Sequence, residues 1–483
     1  MPPPATAAPT APRRPLAGLP GPPRLPLLGN VLQLDTPRMH QQLQGWCQTF
    51  GPLFRLRLGG DDVLVCGDHA ATAGSLRDRP EGFRRTTRMS EIAAEMGLPG
   101  GVFGADGEAW RRQRRMVMAG LDPAHVRRYH PALVGVARRL AERWRRSAGQ
   151  PVDLQADLMR YTVDAVAGLA FGSAVDTLSS DGDVIQQHLD RVFPALFDRI
   201  MSPLPTWRWT PRWARPPSAR RLERSIAVLN QAVSDFVAAA RARLDASAER
   251  RADPPNLLEA MIVAADEPGS GINDEQVAGN VFTMLLAGED TTANTLAWAI
   301  ELLWRHPEEL RRATEEVRAV CGRAEDPTLE QLARLEHVEA CLHETLRLKP
   351  VAPLQALEAL RDSVVGDVFV PRGTVVLHLM RHDAVREAHV PRPEAFEPAR
   401  WRPEGEPGAL PAAARRTSMP FGAGPRICPG RYLALVEMKL ALATLLGGFE
   451  IEWVGTAHGG PAAERLSFTM APVGLAMRLR ERP

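Results

Sequence analysis

The sequence predicts a mainly α-helical fold with a small β-region. Helical apolar patterns dominate, and the longest starts with capping-box spacing at Asn273 and Gln276 and stops at Pro307. Strand-like runs are short and fall into an early and a late group. No linker divides the 483 residues. We therefore predict a disordered Pro/Ala-rich lead over residues 1–23 and a single domain over residues 24–483.

The strand-like runs are expected to form the β-region. The early pair covers residues 53–58 and 63–66, and the late pair covers residues 368–370 and 374–379. Between the two groups, residues 201–215 hold three tryptophans among three prolines. The prolines exclude a regular helix, so this segment is either a surface loop packed by its own aromatics or a lid over a pocket entrance.

Composition narrows the class of protein. The net charge of +2 gives no global attraction for nucleic acid. The five cysteines are scattered without a CxxC pair, which argues against a disulfide framework and fits a reducing cytoplasm. No apolar run reaches the roughly 18 residues that a membrane span needs. We expect a cytoplasmic monomer with no membrane span and no nucleic-acid partner.

The long helix predicted from Asn273 carries a polar interruption at residues 287–292, which read Ala-Gly-Glu-Asp-Thr-Thr. A glycine inside a helix lowers helix stability by roughly 1 kcal/mol relative to alanine, so we expect this glycine to serve packing or function. Helical spacing places a stripe of small and polar residues on one face: Thr283, Ala287, Asp290, Thr291 and Asn294. This stripe is either a helix–helix contact or a pocket floor with an acid–hydroxyl pair, Asp290 and Thr291, at its centre.

A lone cysteine, Cys428, stands in a glycine- and proline-rich loop just before a helical pattern at residues 432–446. A helix N-terminus supplies free amides and a dipole that stabilise a thiolate. Gly424 and Gly430 permit tight turns and close approach to a flat ligand. Arg426 has a planar fork that suits a carboxylate, such as a haem propionate. Lone cysteines are more often plain core residues, but this arrangement favours one thiolate offered to a haem iron.

Five residues of this loop form the pattern F-x-x-G-x-R-x-C-x-G: Phe421, Gly424, Arg426, Cys428 and Gly430. The pattern resembles the haem-binding loop of the cytochrome P-450 family, the haem-thiolate monooxygenases. The resemblance implies haem b, bound by these residues with Cys428 as the iron ligand. It also implies the family's fold, with haem between the 274–305 helix and the Cys428 loop.

The polar interruption of the long helix, A-G-x-D-T-T, resembles the oxygen-activation motif of the same family. By that resemblance, Thr291 hydrogen-bonds dioxygen or a water beside it, and Asp290 passes protons in from solvent. Dioxygen cleavage needs protons in order while bulk water is kept out.

Two further motifs extend the resemblance. Trp110 and Arg114 resemble the W-R-x-x-R helix of the family, which implies donation to the haem propionates. Glu344 and Arg347 could be an exposed pair at i, i+3 spacing. The downstream segment around Arg400 resembles the family's meander, which implies instead a buried Glu–Arg–Arg cluster that serves structure and haem incorporation.

The chain departs from the family pattern at Leu357, where many members have an arginine. One propionate contact is therefore in doubt, and His382 is a candidate to compensate.

The resemblance implies insertion of one oxygen atom from dioxygen into a small apolar organic substrate, usually as hydroxylation. Only 55 residues follow Cys428 (483 − 428), too few for a flavin reductase. Electrons are expected from a ferredoxin or flavodoxin with an NAD(P)H reductase. Two alternatives remain: a haem-thiolate isomerase or peroxygenase, and a non-enzymatic haem sensor or carrier. Mostly apolar candidates line the implied pocket: residues 89–103, 193–197, 351–355 and 468–470, with Phe282, Leu285 and Leu286.

Overall fold

The computed structural model describes residues 13–171, 176–179, 184–202 and 204–482. Helices dominate these residues. The helices are α1 Met39–Phe50, α2 His69–Arg77, α3 Thr87–Glu95, α4 Gly107–Gly120, α5 Pro123–Arg146, α6 Leu154–Phe171, α7 Val184–Met201, α8 Thr206–Trp209, α9 Pro217–Asp245, α10 Ala248–Ala252, α11 Leu257–Asp266, α12 Asp274–Arg305, α13 Pro307–Cys321, α14 Leu329–Ala333, α15 Glu336–Leu348, α16 Ala412–Arg415 and α17 Arg431–Gly448.

Thirteen short strands make up the β-region of the described residues. They are β1 Arg14–Pro15, β2 Leu53–Leu58, β3 Asp61–Cys66, β4 Phe83–Arg85, β5 Pro151–Asp153, β6 Leu354–Ala359, β7 Ser363–Val365, β8 Val368–Val370, β9 Val375–Leu379, β10 Phe449–Gly455, β11 Ala463–Ser467, β12 Thr469–Val473 and β13 Ala476–Glu481. Both predicted strand groups are confirmed: β2 and β3 of the early group meet β9 of the late group in one sheet of order β2-β3-β9-β6-β4, whereas β8 belongs to a smaller sheet. Smaller sheets have the orders β1-β8-β7, β10-β13-β5 and β11-β12.

The central helix α12 forms as its sequence predicts. The Asn273 side chain accepts from the Gln276 amide, the Gln276 side chain returns the bond, and the helix ends at Arg305 before Pro307. Most of its residues are buried because it packs against α6, α9, α15 and α17. A helix that is covered over most of its surface needs little polar surface. Its polar interruption is therefore a local feature of the fold's interior.

The lead predicted over residues 1–23 needs a correction. Residues 1–12 lie outside the described part of the chain. From Arg14 the chain is part of the fold, because β1 pairs with β8 in parallel and Leu16 and Leu19 are buried in a small core beneath the main sheet. Two buried leucines outweigh the proline-rich composition around them.

The segment at residues 201–215 is not a surface loop packed by its own aromatics, which was one of its two interpretations. It contains the single helical turn α8 and a short 3₁₀ turn at residues 212–214, so no regular long helix forms. Its aromatics do not pack on one another: Trp207 is partly buried, whereas Trp209 and Trp213 are 68% and 84% exposed. Among the described residues, no helix is both long and apolar enough to cross a bilayer.

Candidate active site

Cys428 lies in a loop that backbone contacts hold in place. Its amide donates to the Phe421 carbonyl oxygen at 2.9 Å, and its sulfur accepts from the amides of Gly430 and Arg431 at the start of α17. Burial raises the pKa of the Cys428 thiol, while those amides and the charges of Arg114 and Arg431 oppose the rise. The side chain still borders solvent-accessible space. The sulfur is thus closely surrounded by protein yet reachable by a ligand, as predicted.

The two glycines of the loop differ in what the protein requires of them. Gly424 has φ +70°, and a Cβ there would lie 2.6 Å from the Leu76 carbonyl oxygen and 2.7 Å from the Cα of Arg77 in α2. Gly430 has φ −84°, an ordinary conformation. The tight-turn prediction is therefore confirmed at Gly424, and Gly430 also lies in a turn, but in a conformation that does not require glycine. Close approach to a ligand stays a prediction at both positions.

Helix α4 brings the predicted Trp110 and Arg114 to the cysteine loop. Nη2 of Arg114 donates to the Ile427 carbonyl oxygen at 2.8 Å, one residue before Cys428. The guanidinium of Arg426 lies 4.8 Å from the centre of the Trp110 ring and bonds to Asp106 at 3.1 Å. The structure thus brings these three predicted residues together, where cation–π contact and ion pairing hold Arg426 in place.

Two arginines that the sequence did not point to, the buried Arg79 and the half-buried Arg85, join this cluster. Burial, and then repulsion from Arg85 and Arg426, lowers the pKa of Arg79 to about 8. Burial and repulsion from Arg426 lower the pKa of Arg85 to about 10. Asp106 is the carboxylate that opposes both shifts. In the described part of the chain, the Nε atoms of Arg79, Arg85 and Arg426 have no hydrogen-bond partner.

Three repelling guanidinium groups with unused donors around one carboxylate leave an excess of positive charge. Burial of such a group is costly unless anions with matching acceptors approach it. The two propionates of a haem meet that requirement, and the accessible sulfur of Cys428 meets the requirement for an iron ligand. The donor set of the loop and the arginine cluster therefore fits haem.

Arg85 lies opposite Leu357, the position where the chain departs from the family pattern. The two residues face each other in the antiparallel pair of β4 and β6, so their side chains leave the sheet on the same face. Arg85 thus brings a guanidinium beside the position where Leu357 has none. His382, the candidate compensating residue, is buried against Gly67, and burial lowers the pKa of His382. The sequence does not point to Arg85, because pairing of β4 with β6, and not spacing along the chain, places it beside Leu357.

On the opposite helix, the acid–hydroxyl pair has defined partners. One oxygen of Asp290 accepts from the Asn294 amide at 2.7 Å, and the other accepts from the hydroxyl of Thr469 in β12. The hydroxyl of Thr291 donates to the Ala287 carbonyl oxygen at 2.8 Å. Ala287 is exposed in the middle of a largely buried helix. The face of Ala287 and Thr291 therefore borders open space, as a pocket floor would.

A second acid beside this pair was missed. Glu289 is 3% exposed, and burial together with repulsion from Asp190 and Asp290 holds its pKa well above the usual range. Asp190, on α7, borders solvent-accessible space, but the protein atoms packed around it and repulsion from Asp290 raise its pKa to about 6. A neutral Glu289 can donate to the Asp190 carboxylate, which explains the bond between the two acids. Glu289 lies inside the quoted motif, but no sequence signal points to Asp190.

The predicted charge cluster forms in the interior. Glu344 accepts from Nε and Nη2 of Arg347 at 2.9 and 2.8 Å, and from Nε of Arg400 at 3.1 Å. The Trp401 indole and the Glu397 amide add bonds at 2.9 and 3.0 Å. Glu344 is fully buried, so the exposed-pair interpretation is wrong. Both carboxylate oxygens of Glu344 accept hydrogen bonds, so its negative charge can be buried without an unpaired acceptor.

Aromatic side chains gather where the sequence predicts an apolar pocket. Phe193 of α7 stacks on Phe468 with ring centres 4.7 Å apart, and Phe103 lies 6.3 Å from the same ring. Phe468, between β11 and β12, has φ +86°, which is rare for a bulky residue. Backbone in such a conformation persists only where its surroundings hold it, often beside a binding site.

A family model described as Cytochrome P450 matches residues 19–477. The chain belongs to the cytochrome P450 family. Its enzyme class is that of the P450 monooxygenases, and its cofactor is haem b. A solved P450 structure, the cytochrome P450DA heme domain, superposes with a TM-score of 0.82 at 27% identity, covering 97% of this chain and 99% of that one. The predicted P450 fold and the family resemblance are confirmed.

Two P450 relatives show the range of the family. Cyclooctat-9-en-7-ol 5-monooxygenase of Streptomyces melanosporofaciens is 30% identical over 444 residues, which cover 90% of this chain and 89% of the relative. A self-sufficient cytochrome P450 monooxygenase of Exserohilum turcicum is 29% identical over 449 residues. That match covers 91% of this chain and 40% of the relative, so the similarity is confined to part of the longer protein.

Proposed function

We propose that Cys428 is the protein ligand of the haem iron and that this P450 inserts one atom of dioxygen into an apolar organic substrate, usually as a hydroxylation. The observation that carries the proposal is the accessible sulfur of Cys428, with two backbone amides and two arginines opposing the cost of its negative charge. Haem supplies the redox chemistry when bound. The protein's own residues bind it, exclude water and move protons.

The first role is to hold a thiolate. A coordinating thiol is deprotonated outright, so the pKa of free Cys428 does not decide its state in the loaded enzyme. The amides of Gly430 and Arg431 stay directed at the sulfur, and the dipole of α17 adds to them. Arg114 couples this loop to α4 through the Ile427 carbonyl. Phe421, Gly424 and Gly430 shape the loop around the ring of the cofactor.

The second role is to bind the propionates. Arg79, Arg85 and Arg426 have unused Nε donors in a buried, positively charged cluster. Arg114 and Trp110 complete the set that the family resemblance implies. Because the three arginines repel one another, two carboxylates would be bound more tightly than by isolated side chains. We assign haem retention to this cluster. In it, Arg85 takes the place of the arginine that many family members have at the position of Leu357.

The third role is proton delivery. Thr291 would release the Ala287 carbonyl and donate its hydroxyl into the open space that its face borders. Asp290 would pass a proton toward it, because its oxygens are already fixed by Asn294 and Thr469. Burial raises the pKa of Asp290, while the hydrogen bonds from Thr469 and Asn294 oppose the rise, so the protonated form is more favoured than in a free aspartate.

The substrate is proposed to be small and largely hydrocarbon. The stacked rings of Phe193 and Phe468, with Phe103 near them, offer apolar contact and little hydrogen bonding. The name of the Streptomyces relative specifies cyclooctat-9-en-7-ol, an alcohol of mainly hydrocarbon character, which supports this class.

Electrons are proposed to come from a ferredoxin or flavodoxin with an NAD(P)H reductase, and the enzyme to act as a cytoplasmic monomer. The exposed arginines of α4 offer a basic docking face for acidic carriers. Arg111 pairs with Glu81 and Glu108, and Arg115 is exposed. The alternative to test is turnover without a separate electron carrier, the self-sufficiency that the name of the longer relative specifies.

One experiment decides between the proposed reaction and an isomerase or peroxygenase. Haem-loaded protein is supplied with an apolar substrate that shifts its spin state, in parallel with reductant plus dioxygen and with peroxide alone. A monooxygenase forms product with reductant and labelled dioxygen, and the label enters the product. Turnover on peroxide alone, with none on dioxygen, contradicts the proposal. Absence of any turnover on either oxidant would favour the sensor or carrier.

A further inference from the structure

One group of metal-ligating side chains in the described part of the chain has no role in the proposed reaction. His69, Asp383 and His389 each present one ligand atom, and these atoms all lie within 4.8 Å of one another. His69 is the first residue of α2, whereas Asp383 and His389 lie in the segment after β9. His69 and Asp383 are 314 residues apart in sequence, so the fold alone brings the group together.

Asp383 stands at the centre of the group. Its Oδ2 accepts from the backbone amide and from Nδ1 of His69, both at 2.8 Å. The side chain of Asp383 is 4% exposed, while those of His69 and His389 are 26% and 31% exposed. The carboxylate is therefore enclosed by protein, and the two imidazoles form the border with solvent through which an ion can enter.

Hydrogen bonding explains the position of His69 but not that of His389. Oδ1 of Asp383 lies 3.6 Å from Nε2 of His389 and 3.8 Å from Nη1 of Arg386. Both separations exceed the length of a hydrogen bond. Two ligand atoms on one tetrahedral zinc ion are about 3.3 Å apart, because each bond to the metal is about 2.0–2.1 Å long. The gap between Asp383 and His389 thus fits a bridging ion better than a direct bond.

The two imidazole rings are arranged as they would be around a single metal. Their centres are 5.0 Å apart, and their planes cross at 77°. Two imidazoles bound to one tetrahedral zinc have ring centres about 5 Å apart, given the same bond lengths. The contact between His69 and Asp383 needs to open by only about 0.5 Å for an ion to replace the shared proton, which would leave to solvent.

The segment after β9 is held by the buried charge cluster close to each of its two ligands. Nη1 of Arg347 donates to the carbonyl oxygens of Ala384 and Pro393 at 2.8 and 2.7 Å. Nη1 of Arg400 donates to the carbonyl oxygen of Pro391 at 2.7 Å. Side chains on backbone that is fixed in this way lose little freedom when an ion binds, so the site is preorganised.

The donor atoms select the class of ion. The group contains no cysteine, so it offers two imidazole nitrogens and one carboxylate oxygen. Imidazole suits zinc and its neighbours among the transition metals, whereas magnesium and calcium prefer oxygen ligands. Arg386 is the cation that faces the carboxylate, and its side chain is 46% exposed, so it can turn into solvent when an ion binds.

We propose that His69, Asp383 and His389 bind one zinc ion, with water in the fourth position. Three protein ligands and one open position are the arrangement of accessible zinc sites rather than of closed structural ones. The exposure of the two imidazoles leaves room for that water. The ion would join the start of α2 to the segment after β9, and a strong chelator should remove it.

The proposed site is separate from the cysteine loop. Helix α2 has nine residues, about 13 Å of helix, and a Cβ at Gly424 would contact the other end of α2 at Leu76 and Arg77. Zinc at His69 therefore fixes the far end of the helix on which the cysteine loop packs, without contact with Cys428. Zinc binding is independent of catalysis, so it is measured without turnover.

The test is equilibrium dialysis of the chelator-treated, haem-loaded full chain against zinc chloride, with zinc and iron measured together. The parent is expected to bind one zinc per haem. His69→Gln and His389→Gln should each weaken this binding by at least about tenfold, because each removes one of three ligands. The matched control is His343→Gln, since His343 also faces a carboxylate, that of Glu339 at 3.7 Å, but belongs to no group of three ligands in the described residues. The control should bind zinc like the parent.

A second measurement separates the site from a loss of folding. Zinc chloride should raise the thermal unfolding temperature of the parent by mass action, and neither ligand variant should respond. Magnesium chloride should raise it in none of the proteins. Unchanged haem spectra and helical circular dichroism in the variants show that the fold is intact.

Several results would overturn the proposal. One is zinc binding by both ligand variants as tight as by the parent, and another is a loss in the His343→Gln control as large as theirs. A parent that takes up zinc without saturating at one equivalent, or takes up none, would also exclude a built site.

Discussion

Replacing Glu344 by glutamine tests whether the buried charge cluster stabilises the fold. Glutamine keeps the shape of the side chain but removes the charge that Arg347 and Arg400 approach at 2.8 and 3.1 Å. Both arginines would then be buried beside a neutral amide. Removing one partner of a buried ion pair typically costs about 3–5 kcal/mol, a large part of the roughly 5–15 kcal/mol that stabilises a domain.

The remaining partners place the expected loss at the lower end of that range. Arg347 keeps three backbone carbonyls, those of Ala384, Pro393 and Ala395. Arg400 keeps Glu397 at 2.8 Å. We therefore expect Glu344→Gln to lower the free energy of unfolding by about 3 kcal/mol.

The assay is denaturant unfolding of the haem-loaded protein, followed by helical circular dichroism. Glu308→Gln is the matched control, because Glu308 also pairs with an arginine three residues later, Arg311, but on the surface. The control should unfold at the same midpoint as the parent. If Glu344→Gln also unfolds there, the argument from burial is wrong. A shift in haem release without a shift in unfolding would confine the cluster to cofactor incorporation.

Three further outcomes are expected. Thr291→Ala should bind haem normally but divert electrons from product to peroxide, whereas Thr292→Ala, altering a buried neighbour, should leave the ratio of product to peroxide unchanged. Arg85→Leu should speed haem transfer to an acceptor globin, and exposed Arg88→Leu should not; equal rates would contradict the propionate role. Burial raises the pKa of Glu437 to about 8, above its usual 4.5, so the folded state keeps a proton that the unfolded chain loses between those values. Stability should fall as pH rises through that window, with Glu437 contributing at most about 1.4 kcal/mol per unit, and Glu437→Gln should make the fall shallower by that contribution; a slope unchanged from the parent would refute the assignment.

The elements that sequence predicts well are those whose signals are local. The cap at Asn273, the stop at Pro307 and the turn at Gly424 each depend on neighbouring residues, and each is confirmed. The Glu344 cluster could be predicted only through family resemblance, because its third member lies 56 residues away in sequence.

What the sequence could not supply depends on distant pairing. Arg85 reaches its place through the register of β4 and β6, and no spacing in the chain encodes that register. Asp190 meets Glu289 because α7 lies near α12. The order of residues 14–19 could not be predicted from their proline-rich composition, because it depends on burial of Leu16 and Leu19 and on pairing of β1 with the distant β8.

The absorption spectrum of the reduced, carbon monoxide-bound protein tests the central claim most directly. Haem held by the sulfur of Cys428 should give the parent a long-wavelength band, which Cys428→Ser should lose. Cys321→Ser, at another partly accessible cysteine, should keep it. A parent without the band, or a Cys428→Ser variant that retains it, would contradict thiolate ligation by this residue.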